Sequence, residues 1–546
     1  MDRAFEAGPL SRPLTLRLTA TMVLVAAWAL LVGVSQALRP ILPIDETRYV
    51  SVAWEMWVRG DFLVPHLNGV PYSEKPPLLF WLMNLGWWAF GVNDWWPRLL
   101  PGLLGLVNLF LAAALARRLW PDRPYAVRIV PGILLGFFLW SLFTTLIMFD
   151  MLVASCVLVA LLGIFEARRR GGLAWCGLAG AALGLGILAK GPVALVVPLS
   201  VAVLEPWWGK DLPRPGGHLR WWLGLAGAVA LAAAIGLSWA LPAAAAGGEA
   251  YGRSILLTQT GERIVRAFTH QHPWWYYLPF LPLLTFPYSL WPPLWRAMLR
   301  MRPGRLDTGQ RFCLAWLVPG LIVFSAISSK QPYYLLPLCP AFALLAARLL
   351  EEEAPAVRRR HVLPPLAAVA AIGIVMAVGP SFAGDPRLPS WASEVSPGVG
   401  VALLLAVLGF VAGFARIFPG RPAAPTLITL VLLLALHAGF AEVARNAYDL
   451  EPISRYLAVV EQQGRPIAFV GAYHGQFHFL GRLQKPFEVI NDGAEHAWIL
   501  GHPRGRVIQD YDYMPPGVGR AEFTQPYRGD VLAVWGLDAL PVLPSG

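Results

Sequence analysis

The sequence predicts an α-helical polytopic membrane protein of about thirteen transmembrane helices. Interfacial helices occupy its first outer loop, and a small C-terminal α/β domain lies outside the membrane. Three observations predict this. Of 546 residues, 56% are apolar and only 14% are charged, where a soluble domain carries about 25% charged residues. Mean hydropathy is +0.54, and apolar runs recur from Leu18 almost to Glu442, far more than a signal peptide supplies. Beyond Glu442 the composition changes abruptly to mixed polar sequence.

Taken in order, windows long enough to cross a bilayer place the spans near 18–38, 96–118, 128–147, 150–167, 173–189, 191–205, 221–243, 276–295, 312–329, 332–350, 362–380, 399–417 and 424–442. Loop charge orients them. With the N-terminus inside, the inner loops hold 24 Lys and Arg and the short outer loops hold six, as the positive-inside rule requires. The net charge of +11 therefore reflects topology and anionic headgroups, and gives nucleic-acid binding no support. An odd number of spans leaves residues 443–546 outside, as an α/β domain with strands expected at 465–470 and 529–534 and a helix near 476–483. Residues 1–442 form the transmembrane domain. The four cysteines sit inside apolar runs, without metal-ligand spacing.

Between the first two strong spans, residues 39–95 form the loop that carries chemistry. It opens Asp45-Glu46-Thr47-Arg48-Tyr49. Adjacent acids at a helix start fit capping as well as function, and both readings stay open. The apolar residues Tyr49, Val50, Ala53, Trp54, Trp57 and Val58 then recur at helical spacing, predicting an amphipathic interfacial helix. The polar segment Tyr72-Ser73-Glu74-Lys75-Pro76-Pro77 follows, and Leu78–Phe90 reads as a second interfacial helix.

Further charged residues stand at outer ends of spans. Asp150 is an acid at membrane depth, where such groups usually face a cavity. Lys190 and Lys330 could equally snorkel. The outer loop 244–275 adds Arg266 and His272 ahead of an aromatic belt, where a histidine serves as belt residue or as ligand. All of these map to the outer face. That convergence favours an active site.

Together, Asp45–Tyr49, the Glu74-Lys75-Pro76-Pro77 motif and the Ala189-Lys190-Gly191-Pro192 turn resemble the C-type membrane glycosyltransferases. The likeness is greatest to the bacterial lipid A aminoarabinose transferases and the related dolichyl-phosphate-mannose–protein mannosyltransferase-like enzymes. Two positions depart from the usual pattern: Ser73 replaces an aromatic residue, and Ala267 precedes Phe268. The resemblance implies inverting transfer of a sugar from a polyprenyl-phosphate donor to an acceptor such as lipid A, another glycan or a protein, at the periplasmic face of a bacterial inner membrane. It implies Asp45, Asp150, Glu46 and Glu74 as catalytic acids. It implies Lys75, Arg48, Tyr49, Tyr72, Arg266, His272, Lys330 and Tyr333 as the donor and acceptor phosphate site. No cofactor is called for, and a divalent metal is left open. The rival reading is a lipid or solute transporter, which would place charges mid-span.

Overall fold

A computed structural model describes residues 14–257, 272–353, 358–383, 390–414, 423–512 and 520–537. Among them, eight helices are long and apolar enough to cross a membrane: Ala20–Leu38, Trp95–Leu119, Asp150–Arg170, Leu173–Lys190, Gly217–Ala246, Thr308–Ala326, Pro332–Glu353 and Arg360–Phe382. A ninth forms if Ala423–Gly439 and Ala441–Gln462, bent by 46°, count as one span. The chain is a multi-pass membrane protein. The other four of the thirteen expected segments are shorter. Pro124–Leu135, Pro192–Val203 and Pro397–Gly413 are short apolar helices. The segment expected at 276–295 breaks into Trp274–Tyr277, Phe280–Leu284, Tyr288–Leu290 and Pro292–Arg300. Its prolines at 279, 282, 287, 292 and 293 remove the amide donors that a continuous helix needs.

Small residues let these helices approach closely. A side chain at Gly180 would meet the Ala228 carbonyl at 2.6 Å, the packing device of membrane helices. Arginines counted as orientation signals are also structural. Arg168 and Arg214 bind the buried Glu205, and Arg118, Arg169 and Arg170 converge on the buried Glu166.

The site is positioned by four consecutive helices, α1 (Leu14–Leu38), α2 (Asp45–Arg59), α3 (Leu78–Phe90) and α4 (Trp95–Leu119). Helix α2 ends at Gly60, whose φ of +66° closes the last turn through a bond to the Trp57 carbonyl. A two-strand hairpin follows, β1 (His66–Leu67) and β2 (Val70–Pro71). The apolar face of α2, expected to lie against lipid, is covered by protein. Tyr49, Val50, Ala53, Trp54 and Met56 are buried. Trp54 Nε1 donates to the Leu483 carbonyl at 2.7 Å, and Trp57 packs edge-on against Trp87. Exposed large apolar residues in this region are Phe62 after α2, Val70 on β2, Leu85, Trp88 and Phe90 on α3, and Trp95 at the start of α4.

The C-terminal region holds a five-stranded sheet in the order β4-β3-β5-β7-β6, with β3 (Ile467–Val470), β4 (Glu488–Ile490), β5 (Arg506–Tyr511), β6 (Phe523–Tyr527) and β7 (Asp530–Trp535). Strands β3, β4 and β5 are parallel, while β7 runs antiparallel to both β5 and β6. The expected strands at 465–470 and 529–534 are β3 and β7, and the expected helix is the single turn His478–Gly481. This domain docks onto the first outer loop. Asn68 exchanges two hydrogen bonds with the Phe487 backbone, at 2.9 and 2.7 Å. Trp87 stacks on Phe479 at 5.1 Å, and Arg482 pairs with Asp94.

Candidate active site

Helix α2 begins without a side-chain cap: the Asp45 carboxylate makes no bond to the first-turn amides. It turns instead to Arg48, with which it forms an ion pair, and to the Tyr49 hydroxyl at 3.4 Å. Capping is therefore not what Asp45 does. Glu74, from the segment after the hairpin, approaches the other side of Arg48 at 3.6 Å and accepts from the Tyr72 hydroxyl at 3.4 Å. Asp45, Arg48, Tyr49, Tyr72 and Glu74 thus form one cluster, with both carboxylates partly open to solvent.

Burial works against the Arg48 charge, but its negative neighbours, the carboxylates of Asp45 and Glu74 among them, hold its pKa above the ordinary arginine value. Burial, then the negative neighbours Glu74 and Asp45 respectively, push Tyr72 and Tyr49 up. Both phenols remain protonated, and each gives its one O–H to a carboxylate of the cluster.

A cavity of about 600 Å³ opens beside this cluster. Its polar lining residues are Ser73, Glu74, Lys75, Asp150, Lys190, Ser329 and Tyr334, and most of the rest are apolar, Val157, Ile187, Leu237 and Phe324 among them. Asp150 starts a helix but does not cap it. It is 1% exposed and accepts from Lys190 Nζ at 2.7 Å. The Lys190 ammonium also lies over the rings of Tyr333 and Tyr334, at 5.1 and 4.8 Å. Tyr333 is within electrostatic reach of Asp150, Asp45 and Arg48, which joins the cavity to the α2 cluster. Lys190, open between snorkelling and function from sequence, belongs to the site.

Three other expected residues stand elsewhere. Glu46 is buried and fully employed: it pairs with Arg39 and accepts from the amides of Leu42 and Ile147, both at 2.7 Å. It ties the loop to the turn before Asp150 and offers no oxygen to a substrate. Lys330 is buried and donates to the His272 carbonyl at 2.8 Å, while the His272 ring stacks on Tyr276 at 4.1 Å. Those two hold each other, not the cavity. Arg266 lies outside the described residues. Among the described residues no three His, Cys, Asp or Glu side chains converge to hold a metal ion.

Sequence reasoning missed Ser73 and Tyr334, and it missed His474 from the C-terminal domain. The imidazole of His474 feels the charges of Arg48, Glu74 and Asp45, and is lowered in pKa by burial first and by Arg48 second.

Residues 74–239 match the family model described as dolichyl-phosphate-mannose-protein mannosyltransferase. The chain is 32% identical over 332 residues to the undecaprenyl phosphate-alpha-4-amino-4-deoxy-L-arabinose arabinosyl transferase of Pectobacterium atrosepticum, covering 58% of this chain and 56% of that protein. It is 33% identical to the enzyme of the same name from Edwardsiella ictaluri, over 61% of each. The chain spans under two thirds of the length of these relatives. Crystal structures of ArnT from Cupriavidus metallidurans superpose with a TM-score of 0.70 bound to undecaprenyl phosphate and 0.72 in the apo state, both at 21% identity. They cover 96% and 97% of this chain, and 98% and 99% of theirs. The chain shares their fold.

Proposed function

We propose that this chain, a C-type membrane glycosyltransferase by fold, moves a sugar from a polyprenyl-phosphate carrier to a phosphate-bearing glycolipid such as lipid A. One observation carries the reading: a largely apolar cavity of about 600 Å³ whose lining includes Lys75, Asp150 and Lys190. A lipid tail with an anionic head matches that lining. The printed names of the relatives point to the same donor class. The family model supports a second reading, transfer to a protein hydroxyl. A transporter fits less well, since Asp150 and Lys190 stand at the ends of their spans and not at mid-span.

Chemically, an acceptor oxygen attacks the anomeric carbon from the face opposite the carrier. The bond from that carbon to the phosphate oxygen breaks, and its electron pair leaves on the polyprenyl phosphate. Lys75, in the cavity lining, stabilises the growing phosphate charge. Lys190 and Tyr333 hold the far side of that head. Asp45, fixed by Arg48 and Tyr49, orients the acceptor, or deprotonates it where it is a hydroxyl. Glu74 lines the cavity and also contacts Arg48 and Tyr72, so it bridges donor and acceptor sides.

The site, the first outer loop and residues 443–546 then face the periplasm, with residues 1–442 as the membrane-embedded catalytic domain. A reporter active only in the cytoplasm, fused after Gly546, should be silent. The decisive assay incubates purified protein with radiolabelled polyprenyl-phosphate sugars and either lipid A or acceptor peptides. Label should move to lipid A. Label on peptides alone would support the second reading, and label on neither would overturn both.

A further inference from the structure

We infer that the C-terminal domain completes the site by supplying His474 as an acceptor-binding residue, whose imidazole donates a hydrogen bond to a phosphate oxygen of the acceptor lipid. This rests on the donor and acceptor classes proposed above. Gly475 is pressed against α2 at Arg48 and Ser51, one to two turns beyond Asp45. Ser51 Oγ donates to the Gly475 carbonyl at 2.6 Å and accepts from the Phe479 amide at 3.2 Å. Gly475 has φ of +77°, and a side chain there would fall 2.6 Å from Leu67 Cδ1 and 3.1 Å from Ser51 Cβ. Only glycine allows so close a contact. The Gln476 side chain accepts from the His474 amide at 2.8 Å, fixing the backbone that carries the ring.

The ring itself is half-buried and makes no hydrogen bond to a described residue. Its charged surroundings are Arg48, Glu74 and Asp45. None of these except Glu74 lines the cavity, and neither does His474. The two sides of the site therefore divide at Glu74. The apolar cavity with Lys75 takes the carrier, and the Arg48 side, with His474 in its electrostatic reach, is left for the acceptor. Burial and the nearby guanidinium keep the imidazole neutral near pH 7. A neutral ring binds as a hydrogen-bond donor, without competing with Arg48 for Asp45 and Glu74.

The test uses the full-length protein in detergent, with a radiolabelled polyprenyl-phosphate sugar as donor and lipid A as acceptor. His474→Ala should raise the acceptor KM about 10-fold, the size of one hydrogen bond to a charged group. The donor KM and melting temperature should not move. His474→Gln, which restores a donor N–H, should recover part of the loss. An unchanged acceptor KM in an active His474→Ala protein overturns the inference and leaves the proposed function standing. A raised donor KM with an unchanged acceptor KM also overturns it. Failure of the wild-type protein to transfer any sugar overturns the function and this inference together.

Discussion

Lys190 donates to one oxygen of Asp150 at 2.7 Å, while the other oxygen, Oδ2, is buried with no hydrogen-bond partner among the described residues. Lys190 ends the helix Leu173–Lys190, where the dipole favours a cation, and Gly191 with φ of +80° turns the chain away. Both residues of this pair line the cavity. Removing one partner of such a pair leaves an uncompensated charge, which costs about 3–5 kcal/mol. Lys190→Met should therefore lower the melting temperature markedly. Adding Asp150→Asn should restore most of the stability but not the activity. Recovery of both would reduce the pair to a structural role.

Asp45→Asn tests the acid that α2 presents. Because Asp45 makes no capping bond, its loss should leave the helix start intact. The melting temperature should stay near wild type, while turnover falls by ~10²–10⁴-fold, the range for a positioned acid–base group. A phosphate acceptor, which needs no deprotonation, would place the loss at the lower end. Undiminished turnover would shift the leading role to Asp150.

Glu46→Gln should behave in the opposite way. The change removes the charge that pairs with Arg39, and because Ile147 donates to Oε1 and Leu42 to Oε2, one of these amides then faces the NH2 of glutamine, which cannot accept. Arg39 is itself largely buried. A stability loss of roughly 2–4 kcal/mol is expected from the stranded guanidinium and weakened bonds. It should be read as a fall in the melting temperature and in folded yield after detergent extraction. Folded Glu46→Gln protein with normal stability but no activity would return Glu46 to the reacting group.

Much of this architecture is legible in local pattern. Apolar runs locate the spans, and the Tyr49–Val58 periodicity locates α2. The same period cannot say what covers a helix face, and here the cover comes from residues such as Leu483 and Phe479, more than 400 positions away. Lys190 looked able to snorkel because its partner, Asp150, lies 40 residues upstream on another helix. Glu46 looked equivalent to Asp45 because adjacent helix residues point in different directions, a distinction that only the packed neighbours reveal. His474 carried no motif at all. Its relevance arises from the docking of the C-terminal domain. The short strands β4, β5 and β6 were missed because each is brief or interrupted by polar residues in a sheet half open to solvent.

That docked domain should also respond to pH through His478. Its Nε2 donates to the Lys485 carbonyl at 3.1 Å, so Nδ1 is the acceptor for the Tyr473 hydroxyl at 2.5 Å. Tyr473 in turn accepts from the Phe477 amide at 3.2 Å. The neutral ring is thus fully used, and burial pushes its pKa down to about 4. In the unfolded chain a histidine titrates near 6.5. Above that value neither state is protonated, and the stability from the neutral ring is fully present. As pH falls from about 6.5 toward 4, the unfolded state gains a proton that the folded state refuses, and about 3 kcal/mol is lost. Most carboxylates remain ionised down to about pH 5, so the interval from 6.5 to 5 isolates the histidine contribution. Denaturant midpoints followed by tryptophan fluorescence should fall across that interval in the wild-type protein. His474, also lowered by burial, adds a smaller slope of the same sign. His478→Gln should therefore flatten the fall without abolishing it. Equal slopes in the two proteins would mean that His478 takes up its proton in the folded state as readily as in the unfolded one.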